Sequence, residues 1–75
     1  MDMELTKMHM MQDFEENAEE YDVAASNERL WAKGAPDTET AQLHEENAEH
    51  CAMMAQLYRN MAKHPDTILK LFMED

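Results

Sequence analysis

Turn-forming residues are nearly missing from this chain: one Gly, at 34, and two Pro, at 36 and 65, in 75 residues. β-branched residues are few and no strand-like alternation runs through the sequence, so a sheet is not expected. Cysteine is equally scarce. The single thiol, Cys51, excludes an internal disulfide and a cysteine-based zinc framework. It fits a reducing compartment and argues against a secreted scaffold. Bases are outnumbered, with six Lys and Arg against seventeen Asp and Glu, for a net charge of −11 and a pI near 4.5. That balance excludes direct nucleic-acid binding, which needs cations for the phosphates, and disfavours anionic membrane surfaces. A partner selected by charge would be basic. Long apolar runs are also lacking. Segments such as AMMA, 52–55, fall far short of the roughly 18–20 residues that span a bilayer. Asp2 and Glu4 stand where a signal peptide would be basic, so the expected location is the cytoplasm.

What is present is material for helices. The residues between the turn formers are mostly Ala, Glu, Met, Leu, Gln and Lys, all good helix formers. Gly34, Pro36 and Pro65 divide the chain into three pieces, with helices expected at about 2–33, 38–63 and 66–73. In the first, Met11, Phe14, Ala18, Tyr21, Ala25 and Ala32 recur at helical spacing, and Gly34 supplies a C-terminal cap. Asp37 or Thr38 restarts the chain as an N-cap. In the second, Ala48, Cys51, Ala55, Tyr58 and Ala62 form one stripe, widened by Leu43, Met54, Leu57 and Met61. Pro65 suits the first turn of the third, whose Ile68, Leu69 and Phe72 make a short apolar face.

A displacement of thirty residues superposes part of the chain on itself. Gln12, Glu15, Glu16, Asn17, Ala18, Glu19, Ala25, Arg29, Ala32 and Lys33 recur as Gln42, Glu45, Glu46, Asn47, Ala48, Glu49, Ala55, Arg59, Ala62 and Lys63. Both copies run on to a Pro-Asp, at 36–37 and at 65–66. The fold expected is therefore all-α: an antiparallel helical hairpin from an internal duplication, plus a short C-terminal helix. A chain this short buries a modest share of its surface, so association of two hairpins into a homodimeric bundle is expected as well. Acids come early and bases late in each helix, which suits the helix dipole. Antiparallel packing would lay the acidic start of one helix beside the basic end of the other.

No catalytic constellation emerges. HEENAEH, residues 44–50, resembles the start of a zinc-hydrolase helix, but such a helix needs His at i and i+4. His44 is followed four residues later by Ala48, and His50 lies roughly 240° round the helix from His44. A Glu-x-x-His pair of the di-iron type does not occur. Glu46 and His50 read as a surface pair, and His9 and His64 as solvated residues near helix ends. Cys51 lies mid-helix among acids, where a thiolate is disfavoured, and reads as a small core residue. Neither enzyme activity, nor a cofactor, nor a metal is expected. Met53, Met54 and Met61 suit a core or a dimer seam. The crowd at Met1, Met3, Met8, Met10 and Met11 is more suited to packing than to docking, although methionine surfaces adapt to partners.

The densest feature is DFEENAEEYD, 13–22, with no base between Lys7 and Arg29. Glu15–Glu19, Glu16–Glu20 and Glu45–Glu49 are like-charge pairs one turn apart, each costing an isolated helix about 0.2–0.5 kcal/mol. Carboxylates spaced by roughly 6 Å along a helix approach the spacing of phosphates on a nucleic-acid strand. The function expected is thus that of a stoichiometric inhibitor that imitates DNA or RNA in the groove of a basic protein. Asp13, Glu15, Glu16, Glu19, Glu20 and Asp22 would be the contacts, joined by Glu45, Glu46 and Glu49. In size, acidity and helical build the chain resembles phage-encoded anti-restriction and anti-CRISPR inhibitors, which act in the host cytoplasm. That resemblance is one of kind and carries no residue roles. The alternative is a protein-protein interaction or assembly module. There Trp31 and the C-terminal Ile68, Leu69, Leu71, Phe72 and Met73 form the working surface, and the acids only solubilise it.

Overall fold

A computed structural model describes residues 2–73; Met1, Glu74, Asp75 and the side chain of Met73 lie outside the described residues. The chain is all-helical, with α1 at Met3–Lys33, α2 at Thr38–Lys63 and α3 at Pro65–Met73. Local chemistry explains each boundary. The Asp2 carboxylate accepts from the backbone N–H of Glu4 at 3.0 Å and of Leu5 at 3.4 Å, satisfying donors that a helix start leaves open. Asp37 does the same for α2, accepting from the Thr40 N–H at 2.7 Å. This bond holds its carboxyl below the ordinary aspartate value. Pro65 opens α3, where its missing N–H costs nothing.

Gly34 ends α1 where the sequence places a cap, but not by the expected means. Its φ is −95°, outside the left-handed region that favours glycine. Its N–H bonds the Leu30 carbonyl at 3.2 Å. A side chain here would meet nothing nearer than that carbonyl oxygen, 3.9 Å from the Cβ position.

α1 and α2 lie side by side and run in opposite directions. Glu28 meets His44 beside the turn, Asp22 meets Arg59 farther along, and Phe14 meets Tyr58. The seam between them is made of alanine. Ala18 and Ala25 of α1 and Ala48, Ala55 and Ala62 of α2 are the buried hydrophobic residues, each 5% exposed or less. Their spacing of seven keeps them on one face of each helix. Ala32, the remaining member of the series, is half-buried.

Larger apolar residues do not enter this seam. Cys51, expected in the core, is half-buried and free, and Met53 is exposed. At about 100° per residue, Cys51 sits to one side of the alanine row and Met53 on the back of α2. The fully buried positions between the helices are taken by methyl groups, and the larger side chains beside them are half-buried. The resulting body is one helix layer with α3 at one end, measuring 53 × 22 × 15 Å between Cα atoms.

Candidate binding surfaces

The seam divides the helix pair into two flanks of different chemistry. On the first, acids and bases meet across the helices. Arg59 donates to both carboxylate oxygens of Asp22. The pairing holds the Asp22 carboxyl below its ordinary value and raises Arg59. Two clefts flank this pair. One, of about 430 Å³, is lined by Arg29, Ala32, Lys33, Glu45, Ala48 and Glu49. The other, of about 390 Å³, is lined by Met11, Glu15, Glu19, Arg59, Ala62 and Lys63. A shift of thirty residues carries Arg29, Ala32 and Lys33 of the first cleft onto Arg59, Ala62 and Lys63 of the second. It carries Glu15 and Glu19 onto Glu45 and Glu49 in the same way. The correspondence extends outward, where the Gln12 amide donates to Glu16 and the Gln42 amide to Glu46, both at 3.4 Å.

The nine candidate acids therefore do not share one face. Asp22 is neutralised by Arg59, and Glu15, Glu19, Glu45 and Glu49 share clefts with Arg or Lys. Asp13, Glu16, Glu20 and Glu46 lie on the backs of the helices, roughly 140–180° from the seam. All four are exposed. Glu16, Glu19, Glu20 and Val23 line one shallow outer depression. The stretch without a base in sequence, between Lys7 and Arg29, receives its cation from α2. The arrangement of early acids and late bases carried that signal.

The second flank is apolar and aromatic. The Tyr21 and Tyr58 rings stack at 5.7 Å between centroids, and Phe14 tilts against Tyr58 at 6.1 Å. Cys51 and Met54 share this flank of α2 with Tyr58 and are half-buried. At one end, α3 is pinned by Lys7, which bridges Asp66 and Glu4; the Asp66 contact raises the Lys7 pKa. Here Met10, Phe14, Met61, Ile68, Leu71 and Phe72 enclose a groove of about 480 Å³. Leu71 and Phe72 protrude from it, 66% and 80% exposed, while Leu69 is half-buried. At the turn end, Glu28 and His44 pair at 2.6 Å, and Trp31 lies over the His44 ring at 5.8 Å while remaining 56% exposed.

No family model, curated protein or solved structure matches the chain. Its surfaces must be read from their own chemistry. Among the described residues, no group of three or more His, Cys, Asp and Glu is placed to hold a metal ion. No helix is long and apolar enough to cross a membrane. Sequence reasoning missed the aromatic cluster of Phe14, Tyr21 and Tyr58 as a surface. These rings fall at helical spacing with the alanines, and a core assignment absorbed them. The structure leaves these rings half-buried beside the methyls instead of inside with them.

Proposed function

We propose that this chain is a non-catalytic helical interaction module whose working surface is the apolar flank together with α3. One observation carries the reading. Among the described residues the buried hydrophobic ones are all alanines, while Trp31 on the apolar flank and Leu71 and Phe72 on α3 are exposed. Domains ordinarily close two layers over a core of large side chains. Here Phe14, Tyr21, Met54, Tyr58 and Met61 are only half-buried beside the alanines, which leaves an apolar surface of the kind that docks a partner. In this reading the fold is a helical hairpin that arose by internal duplication. Two hairpins associate into a bundle, and the protein acts in the cytoplasm. The outer carboxylates keep an otherwise adhesive molecule dispersed.

The test is binding of an apolar fluorescent dye at low and high salt, at a chain concentration low enough to keep the molecule monomeric. Replacement of Leu71 and Phe72 by Asp should remove most of the dye signal and leave the helical circular dichroism unchanged. Dye binding that survives this double change would defeat the reading. So would binding that weakens steeply with salt, since hydrophobic contact is insensitive to screening.

A second reading is favoured by a specific feature of the charged residues. Asp13, Glu16 and Glu20 project from the back of α1, away from the bases of α2, and are free to meet a basic groove. In that reading the chain inhibits a basic nucleic-acid-binding protein by standing in for phosphates, in the manner of phage inhibitors of host defence. Changing Glu16, Glu19 and Glu20 to Lys should then abolish binding to such a protein while the helices persist. Affinity should also fall steeply with ionic strength. A charge-reversed variant that binds a basic target as before would remove this reading.

A further inference from the structure

We infer that the aromatic flank is covered by a second copy of this chain, stacked so that each copy's α3 overhangs the turn end of the other. This assignment rests on the interaction-module reading and names its partner.

Area is the first argument. A compact monomer of 8.8 kDa exposes about 4,800 Å², whereas this chain exposes 5782 Å². The excess of about 1,000 Å² is of the size that one partner contributes to a specific interface, about 800 Å². The missing second layer and the surplus surface are thus of one magnitude.

Charge is the second argument and selects the copy. A molecule with seventeen acids and six bases meets itself only where carboxylates are few. The aromatic flank is that place. Along it stand Met10, Phe14, Tyr21, Cys51, Met54 and Tyr58, and the carboxylates described on it are engaged, Glu28 by His44 and both Glu4 and Asp66 by Lys7. The outer acids Asp13, Glu16, Glu20 and Glu46 face away. A basic partner would find little to attract it on this flank, whereas a second copy finds rings, thioethers and carboxylates that are already paired.

Orientation follows from α3. It rises on this flank at the end marked by Met10 and Met61. Two copies with their third helices at the same end would collide. A two-fold axis across the middle of the flank separates them and brings Leu71 and Phe72 over the second copy's Trp31 and His44. Cys51 and Tyr21, equivalent under the thirty-residue shift, then lie near the axis. A closed two-fold dimer is also the commonest homo-oligomer.

The experiment uses the full chain. Sedimentation equilibrium should give twice the chain mass, and alkylation of Cys51 should slow with rising protein concentration in proportion to the remaining monomer. Tyr58→Glu should raise the dimer dissociation constant at least about 30-fold, the scale of a central aromatic anchor, with helicity retained. Should that variant unfold, Met54→Glu makes the same test at a smaller side chain. A dimer whose Cys51 reacts equally fast at every concentration, or that ignores Met54→Glu, overturns the assignment of this flank and leaves the module reading intact. A monomer at all concentrations that still binds the apolar dye overturns the second copy, and with it the association of two hairpins, but not the docking surface. A monomer that does not bind the dye removes both.

Discussion

Along one flank of the α1–α2 pair, opposite charges meet across the helices; along the other, aromatic rings do. The two surfaces flank the same alanine seam and belong to the same two helices, so the difference comes from side chains rather than backbone. The charged flank is saturated. Its acids and bases are supplied in equal pairs by the repeat, Glu15 and Glu19 against Arg59 and Lys63, Glu45 and Glu49 against Arg29 and Lys33. Exposed charges of this kind contribute little to stability, and with Asp22 the flank holds five acids to four bases, so the excess at the centre is one carboxylate. The aromatic flank is unsaturated. Its rings touch one another, yet only α3 covers them, and only at one end. A formal charge of −11 therefore describes the molecule poorly. Asp13, Glu16, Glu20 and Glu46 stand exposed on the helix backs, away from the bases of the charged flank.

Substitutions can break or sharpen this contrast. The largest effect is expected at the seam that both flanks share. Ala55→Asp places a carboxylate between the helices and should cost about 4 kcal/mol or more, seen as loss of a cooperative urea transition. Tyr58→Ala on the aromatic flank should cost about 2 kcal/mol, below the range for a fully buried ring, measured from the urea midpoint at a concentration where the chain is monomeric. An equal loss on replacing Arg59 across the seam would erase the contrast. Gly34→Ala touches neither flank. Because φ there is −95°, it should stabilise the chain by about 0.4–1 kcal/mol, and a loss instead would show that the turn needs a glycine. Glu20→Lys on the helix back relieves the repulsion with Glu16 and should gain about 0.2–0.5 kcal/mol at low salt, vanishing at high salt.

The smallest effect is a pH dependence on the charged flank. Asp22 is held below its ordinary value by Arg59. Its contribution is fully present above that ordinary value and disappears as pH falls through the lowered, folded one. Thermal melts of Asp22→Asn should lack this part of the acid dependence and match the parent at the lowest pH.

Much of the architecture was legible in the sequence. One glycine and two prolines marked where the helices break, because little else in the chain opposes helix, and Asp37 stood ready as a cap. The alanines at 18, 25, 48, 55 and 62 were visible as stripes. What could not be read was how tightly those stripes close. Helical spacing alone places Phe14, Tyr21, Tyr58 and Cys51 beside the alanines, and whether rings go inside or out depends on the gap between helices. The division of the candidate acids between a flank and the helix backs was hidden for a related reason. Runs of charge in sequence show neighbours along a helix, while Arg59 reaches Asp22 across thirty-seven residues. The outward set of Asp13, Glu16 and Glu20 emerged only once the seam direction was known.

The seven-residue rhythm of the seam leaves one matter open to the rest of the molecule. Identical methyls at every second turn give the helices no reason to prefer one alignment over another slid by about 10 Å, as a zip with uniform teeth can be started at the wrong tooth. The choice falls to groups off the zip: the short link from Gly34 to Asp37, the stacked tyrosines and the Asp22 clasp. Shortening or loosening them should yield a chain that is still helical and still paired, but in mixed alignments.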